Sequence, residues 1–298
     1  KESPKNAETI AEYKKYVAKV LTEIGYKNAD AVAGQIVDFE KKMAKTLLTN
    51  EQIRDANLQY NPKTLPELKT LVKNVNLAKY LTDAGVNTDK VIIGELNYYK
   101  NLDTFLTEKN IPLIKDYLKF HLTSGSASYL NQKMDDIKFD FYSKYLQGQK
   151  EQRALNKRAL SLINGVVGEA FGKVYVEKYF TPEAKAQMMT YVDYLKKSFA
   201  MHINNLAWMS SVTKQKAMDK LNKFTVKIAY PDKWKDYSKL QLKSEKDGGT
   251  LYSNLQNVES WSYNKELEKI GKPVDKSEWG MSPQTVNAYY NPVNNEIV

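Results

Sequence analysis

The sequence contains no cysteine, which excludes a disulfide framework, a thiolate metal site and a cysteine nucleophile together, and leaves the redox compartment open. Histidine is nearly as scarce. His121 and His202 are the only two, 81 positions apart and with no carboxylate at ligand spacing behind either, so no zinc is expected to be bound by this chain. Arginine is limited to Arg54, Arg153 and Arg158. Base and phosphate recognition favour the bidentate arginine fork over the hydrated point charge of lysine. A nucleic acid is therefore not an expected partner, despite a formal net charge of +10 and a pI near 9.2. No apolar run approaches the roughly 18 residues that span a bilayer, and Lys1-Glu2-Ser3-Pro4 has no signal-peptide core behind it. The chain reads as soluble, or as a soluble piece of a longer one. It also lacks an HExxH helix, a GxSxG elbow, a phosphate-binding GxxxxGKS/T loop and a GxGxxG turn. By themselves the residues define no active site.

What is present is a chain of 298 residues, 42% of them hydrophobic, enough for one large domain or two smaller ones. Ile10, Tyr13, Val17, Val20, Leu21 and Ile24 recur at helical spacing, with Gly25 placed to end the helix. A second helix carries Val32, Ile36, Phe39 and Met43 inward and Lys41, Lys42 and Lys45 outward. Thr64 and Glu67 form a capping-box pattern ahead of Leu68, Leu71 and Val72. Leu155, Leu162, Val166, Val167, Ala170, Phe171 and Val174 mark a further helix. Thr181-Pro182-Glu183 starts the longest one, whose apolar series runs from Met188 through Val192, Leu195, Phe199, Ile203 and Leu206 to Met209. His202, beside that inner face, is expected to be a packing or hydrogen-bonded residue. Asp135, Asp136 and Asp140 are expected to be solvated.

After Leu221 the period changes. Phe224, Val226, Ile228 and Tyr230 alternate and stop at Pro231-Asp232, which reads as a strand and a turn. The stretch from Thr285 to Pro292 reads as another strand, and Ile297-Val298 as one returning beside it. A chain seldom stops on the opening residues of an apolar strand, so it is expected to continue in a parent protein. A strand at a sheet edge can accept an extended peptide through its main chain, with Asn287 able both to accept from and to donate to that peptide. An ordinary hairpin strand has the same pattern.

Asn287-Ala288-Tyr289-Tyr290, preceded by Glu278-Trp279-Gly280-Met281-Ser282-Pro283-Gln284-Thr285-Val286 and followed by Asn291-Pro292 and Asn295-Glu296-Ile297, resembles the substrate-binding strand of the neprilysin and endothelin-converting-enzyme family of zinc endopeptidases. Further matches are Arg54-Asp55 with Tyr60-Asn61-Pro62, Gly168-Glu169-Ala170-Phe171-Gly172-Lys173, Trp208-Met209-Ser210, and Tyr230-Pro231-Asp232-Lys233-Trp234. The ordered series covers nearly the whole chain.

The resemblance implies a mainly α fold: the multi-helix lobe of a two-lobed peptidase, with a few short β-strands near the C-terminus. Residues 1–222 would form the helical lobe that restricts substrate entry. Residues 223–298 would be a mixed α/β segment leading into the catalytic lobe and ending in the edge strand. It implies that Asn287, through its side-chain amide, and Ala288, through its backbone, hold an oligopeptide substrate, and that Tyr289 lines a neighbouring side-chain pocket. Zinc is implied for the intact parent, because the family's HExxH helix and later glutamate ligand lie in the missing catalytic portion, which is the implied partner. The chain alone is expected to be inactive. Lack of cysteine resembles the bacterial oligopeptidases of the family. Localisation outside the cytoplasm is the expectation, with a cytoplasmic one as the alternative. The rival reading is a non-enzymatic helical module binding peptides or sugars through its 21 tyrosines and 4 tryptophans.

Overall fold

A computed structural model describes residues 4–298; the leader reading made on Lys1 to Ser3 lies outside the described residues. In chain order the helices are α1 (Pro4–Glu23), α2 (Ala29–Ala44), α3 (Ala56–Gln59), α4 (Leu65–Leu71), α5 (Leu77–Asp83), α6 (Leu96–Phe105), α7 (Ile111–Ser126), α8 (Gln132–Phe139), α9 (Leu155–Tyr179), α10 (Pro182–Asn205), α11 (Ser211–Asn222) and α12 (Leu251–Leu267). The strands are β1 (Asn61–Thr64), β2 (Lys90–Ile93), β3 (Thr225–Val226), β4 (Tyr290–Asn291) and β5 (Glu296–Ile297). The fold is mainly α, as the resemblance implied. The antiparallel pair of β1 and β2 is an addition that the sequence does not announce, since Asn-Pro-Lys-Thr has neither apolar alternation nor β-branched residues before its last position.

Two compact units divide the chain: Lys1–Gln152 with Leu242–Lys272, and Arg153–Gln241 with Pro273–Val298. This division does not coincide with the change of period read at 222/223. The reason lies in α12, which packs with the first unit. Its Tyr263 hydroxyl donates to the Ala84 carbonyl, and Leu267 closes on Gly85.

In the first unit, local signals and packing agree. Helix α1 ends where Gly25, at φ +92°, lets its N–H reach the Thr22 carbonyl and the Tyr26 N–H reach the Leu21 carbonyl, both at 3.0 Å. Val17, Val20 and Leu21 of α1 and Val32 and Ile36 of α2 are buried together with Phe120 of α7, Met134 of α8 and Phe141. A second cluster joins Phe39, Val72, Leu102 and Phe105. Thr64 and Glu67 form the expected capping box at α4. Asp135 is buried, not solvated as expected. It lies on the inward side of α8 next to Met134, and Gln152 Nε2 donates to it at 3.4 Å.

Tyr16 stacks on Phe141 at 5.1 Å between ring centroids and shares a 2.6 Å hydrogen bond with Ser124. Burial pushes its hydroxyl up to about 12, the Ser124 bond pulling the other way. Tyr13 is raised as well, by burial and then by the charge of Glu40. The folded-state value of Tyr16 lies above the ordinary 10.0, so its contribution to stability is complete below pH 10 and is lost as the pH climbs towards 12. Wild-type stability, followed by circular dichroism in urea, is expected to decline across that window, and Tyr16→Phe to make the decline shallower. Equal slopes would contradict the assignment.

The second unit departs further from the expected helical cores. In α9 the buried positions are Gly168, Gly172 and Val176, while Leu155 and Val174 of the apolar series are exposed. The helix is kinked at Val167, at φ −130° and ψ 35°. Helix α10 begins at the Thr181 cap as read but stops at Asn205, because Leu206 turns to an extended ψ of 111°. Leu206 and Met209 therefore lie beyond it. Its face of Met188, Tyr191, Leu195 and Phe199 is exposed, and so is His202, so of the two roles expected for it, packing or hydrogen bonding, packing is excluded.

Candidate functional site

The C-terminal sheet has the order β3-β5-β4, with β3 parallel and β4 antiparallel to β5. Both strands expected here are shorter than read. Phe224 to Tyr230 contributes only Thr225–Val226, because Ala229 takes φ +70° and the Tyr230 N–H turns back onto the Ile228 carbonyl. Thr285 to Pro292 contributes only Tyr290–Asn291. The Thr285 N–H bonds the Ser282 carbonyl, the Asn287 N–H bonds the Thr285 carbonyl, and Val286 stands fully in solvent. The returning strand is present, and β4 lies at the sheet's edge.

Main-chain alternation decides what that edge offers. Tyr289 and Val298 exchange two hydrogen bonds of 3.0 Å each, and the next bonded pair is Asn291 with Glu296. In an antiparallel ladder the residues between bonded pairs turn their N–H and C=O outward. Tyr290 therefore faces the open side; at Ala288, two residues earlier, the outward carbonyl is what the edge offers, because its N–H is bonded to Asn287 Oδ1. Pro292, the next outward position, has no N–H, so the edge closes there. Asn287 is exposed and its Oδ1 accepts from the Ala288 N–H at 2.8 Å. Its Nδ2 group has no partner among the described residues. Tyr289 is half-buried, and its hydroxyl accepts from the Gly280 N–H at 3.0 Å. The structure thus brings Asn287, Ala288 and Tyr289 to one edge and adds the main chain of Tyr290, which the alternation of Val286, Ala288 and Tyr290 carries in the sequence.

The edge is supported from below. Gly168 and Gly172, one turn apart on α9, let the Ser282-Pro283-Gln284 loop lie directly on the helix. A Cβ at Gly172 would sit 2.6 Å from Gln284 Oε1 and 2.8 Å from Pro283 Cδ. Gln284 Nε2 also donates to Asn164 Oδ1 at 2.8 Å and to the Gly168 carbonyl at 2.9 Å. Gly172→Ala is expected to cost about 1–3 kcal/mol by overpacking, read as a lower urea midpoint with an unchanged slope. An unaltered midpoint would show that the loop gives way freely. Around the sheet's other end, Lys185 of α10 donates to the Tyr230 carbonyl at 2.9 Å and to Asp232 at 2.8 Å, with its ammonium 4.2 Å from the Tyr230 ring. This contact fixes the Tyr-Pro-Asp turn.

Sequence reading missed Lys227 and Glu296. Lys227 follows β3 and is 8% exposed, Glu296 opens β5 and is 2% exposed. Their only sequence signal is a charge of each sign set within two apolar runs.

No group of three histidine, aspartate or glutamate side chains able to hold a metal occurs among the described residues. His121 is bonded to Glu40 at 2.8 Å, which also accepts from the Tyr13 hydroxyl. Among the described residues no helix is long and apolar enough to cross a membrane.

The described residues thus form a mainly helical scaffold with a short strand at the edge of a three-stranded sheet. The profile of peptidase family M13 matches residues 1–231, and the chain belongs to that family. A neutral endopeptidase of Lactococcus lactis subsp. lactis is 29% identical over 299 residues, taking in 100% of this chain and 47% of the relative. Neprilysin-11 of Caenorhabditis elegans is 28% identical, over 88% of this chain and 32% of that protein. Among solved structures, the Mycobacterium tuberculosis zinc metalloprotease ZMP1 in complex with an inhibitor superposes with a TM-score of 0.89 at 33% identity, over 99% of this chain and 45% of that one. The chain spans about half the length of the curated relatives it matches, 47% in the Lactococcus case.

Proposed function

We propose that this chain is the non-zinc portion of a neprilysin-like zinc metalloendopeptidase that hydrolyses peptide bonds in oligopeptides. The observation that carries the reading is the open edge at β4. An oligopeptide would add there as an antiparallel strand on Ala288 and Tyr290, with the free Asn287 Nδ2 donating to its backbone. Recognition through main-chain groups is blind to side chains and suits varied sequences. The chain's own part is to bind and orient the peptide; zinc-dependent chemistry falls to the remainder of the parent protein, which supplies the metal ligands. The exposed face of Met188, Tyr191, Leu195 and Phe199 on α10 supports the same reading, since an apolar stripe of this kind is what an absent packing partner leaves bare.

In the full-length parent, Asn287→Ala is expected to raise KM for an oligopeptide about threefold to tenfold, the value of one hydrogen bond of roughly 0.5–1.5 kcal/mol. Its kcat should stay within about twofold on the same reasoning. The 298-residue chain alone is expected neither to cleave peptides nor to retain zinc after dialysis. Zinc-dependent cleavage by the chain alone, or an unchanged KM in the variant, would refute the proposal.

A further inference from the structure

The strands of the C-terminal sheet contain two residues each, Thr225–Val226, Tyr290–Asn291 and Glu296–Ile297. Such short strands carry too little hydrophobic pattern to specify their own register, and a slip of one residue would turn every side chain to the opposite face. Something else must hold β4 where it stands. Phe224 stacks on Tyr290 and the Tyr290 hydroxyl donates to Asn295, but the contacts that tie β3, β5 and the preceding loop together involve two charges buried within the unit.

Lys227 Nζ lies 2.9 Å from Glu296 Oε2, a close charge contact without the alignment of a hydrogen bond. It also donates to the Glu278 carbonyl at 2.7 Å. Glu278 lies two residues before Gly280, whose N–H donates to the Tyr289 hydroxyl. Tyr289 pairs with Val298 through the main chain, two residues past Glu296. The contacts close a ring: from β3 to the loop before the edge strand, along that strand to β5, and back to β3. Glu296 is also the register partner of Asn291 on β4, and Asn294 Nδ2 reaches its Oε1 at 3.4 Å across the hairpin turn.

A buried ion pair adds little net stability, because desolvation offsets the attraction, and well-packed apolar residues often do as well. What it adds is geometric: only one register lets a single ammonium meet a carboxylate on β5 and a carbonyl in the loop. We infer that Lys227 and Glu296 are positioning residues for the edge strand, holding Ala288 and Tyr290 in the register that presents their outward main-chain groups to a peptide. The peptide part of this inference rests on the proposed function; the register part does not.

The test is the double variant Lys227→Met/Glu296→Leu, which replaces the pair by apolar side chains. In the 298-residue chain it should melt within a few degrees of wild type, while amide exchange at Tyr289, Thr225 and Gly280 becomes at least about tenfold faster. Unchanged protection at those amides overturns the inference. In the full-length parent, KM for an oligopeptide should rise about tenfold with kcat within about twofold, and Lys227→Arg should recover most of the loss; an unmoved KM also overturns it. If the wild-type parent cleaves no peptide, the proposed function fails while the exchange data still decide the register role. Should the double variant not fold, Lys227→Arg/Glu296→Asp keeps both charges and shifts their reach. Faster exchange at the same amides then supports the inference, and unchanged exchange refutes it.

Discussion

Lys227→Met alone is expected to destabilise the second unit by about 3–5 kcal/mol, the cost of leaving a buried carboxylate without its counter-charge. Glu296 is 2% exposed, so water cannot replace the ammonium, and the Glu278 carbonyl loses its donor as well. Urea unfolding followed by near-ultraviolet circular dichroism measures the loss. Phe224, stacked at 6.0 Å on Tyr290, places an aromatic contributor to that signal at the sheet. A deficit below about 1 kcal/mol would mean that the carboxylate protonates or swings out to water, and that its burial is not enforced.

Phe120→Ala is expected to cost about 3–5 kcal/mol in the first unit, through lost transfer energy and the cavity left behind. Phe120 is 1% exposed and lies edge-on to Tyr16 and Tyr13 at 6.0 and 6.2 Å. Those partners are themselves anchored, Tyr16 to Ser124 and Tyr13 to Glu40, so the surroundings have little freedom to collapse into the gap. Differential scanning calorimetry should show the first unit melting several degrees lower. A shift of under about 2 °C would mean that the aromatic cluster repacks.

Much of the first unit was legible because its signals are local. Val17, Val20 and Leu21 recur at helical spacing and are fully buried; Gly25 ends α1 by the φ that its residue type permits; Thr64 caps α4 with the partner expected three residues later. In the second unit the same periodicity misleads about burial. The series from Met188 to Phe199 forms one side of α10 as read, yet that side is exposed. Period 3.6 fixes which residues share a face, not whether the chain supplies something to cover it. In α9 the buried face is marked by Gly168 and Gly172, small residues chosen by the close approach of a loop more than 100 positions away.

At the candidate site, resemblance points to Asn287, Ala288 and Tyr289, and the returning strand was legible from its turn residues. The sequence did not show the strand lengths, since Ala229 and Val286 leave the extended path for reasons of local turn geometry. Nor did it give the ion pair, whose members are separated by 69 positions.

The sequence by itself determined the helical class, the family pattern and the helix ends set by Gly25, Thr64 and Thr181, because each depends on residue type and short spacing. Only the tertiary structure decided that β4 is an outer strand, that Tyr290 rather than its neighbours turns its main chain outward, that Asp135 is buried, and that Lys227 meets Glu296. These follow from which distant segments lie side by side. Strand order and burial are properties of that arrangement, and no spacing within one segment encodes them.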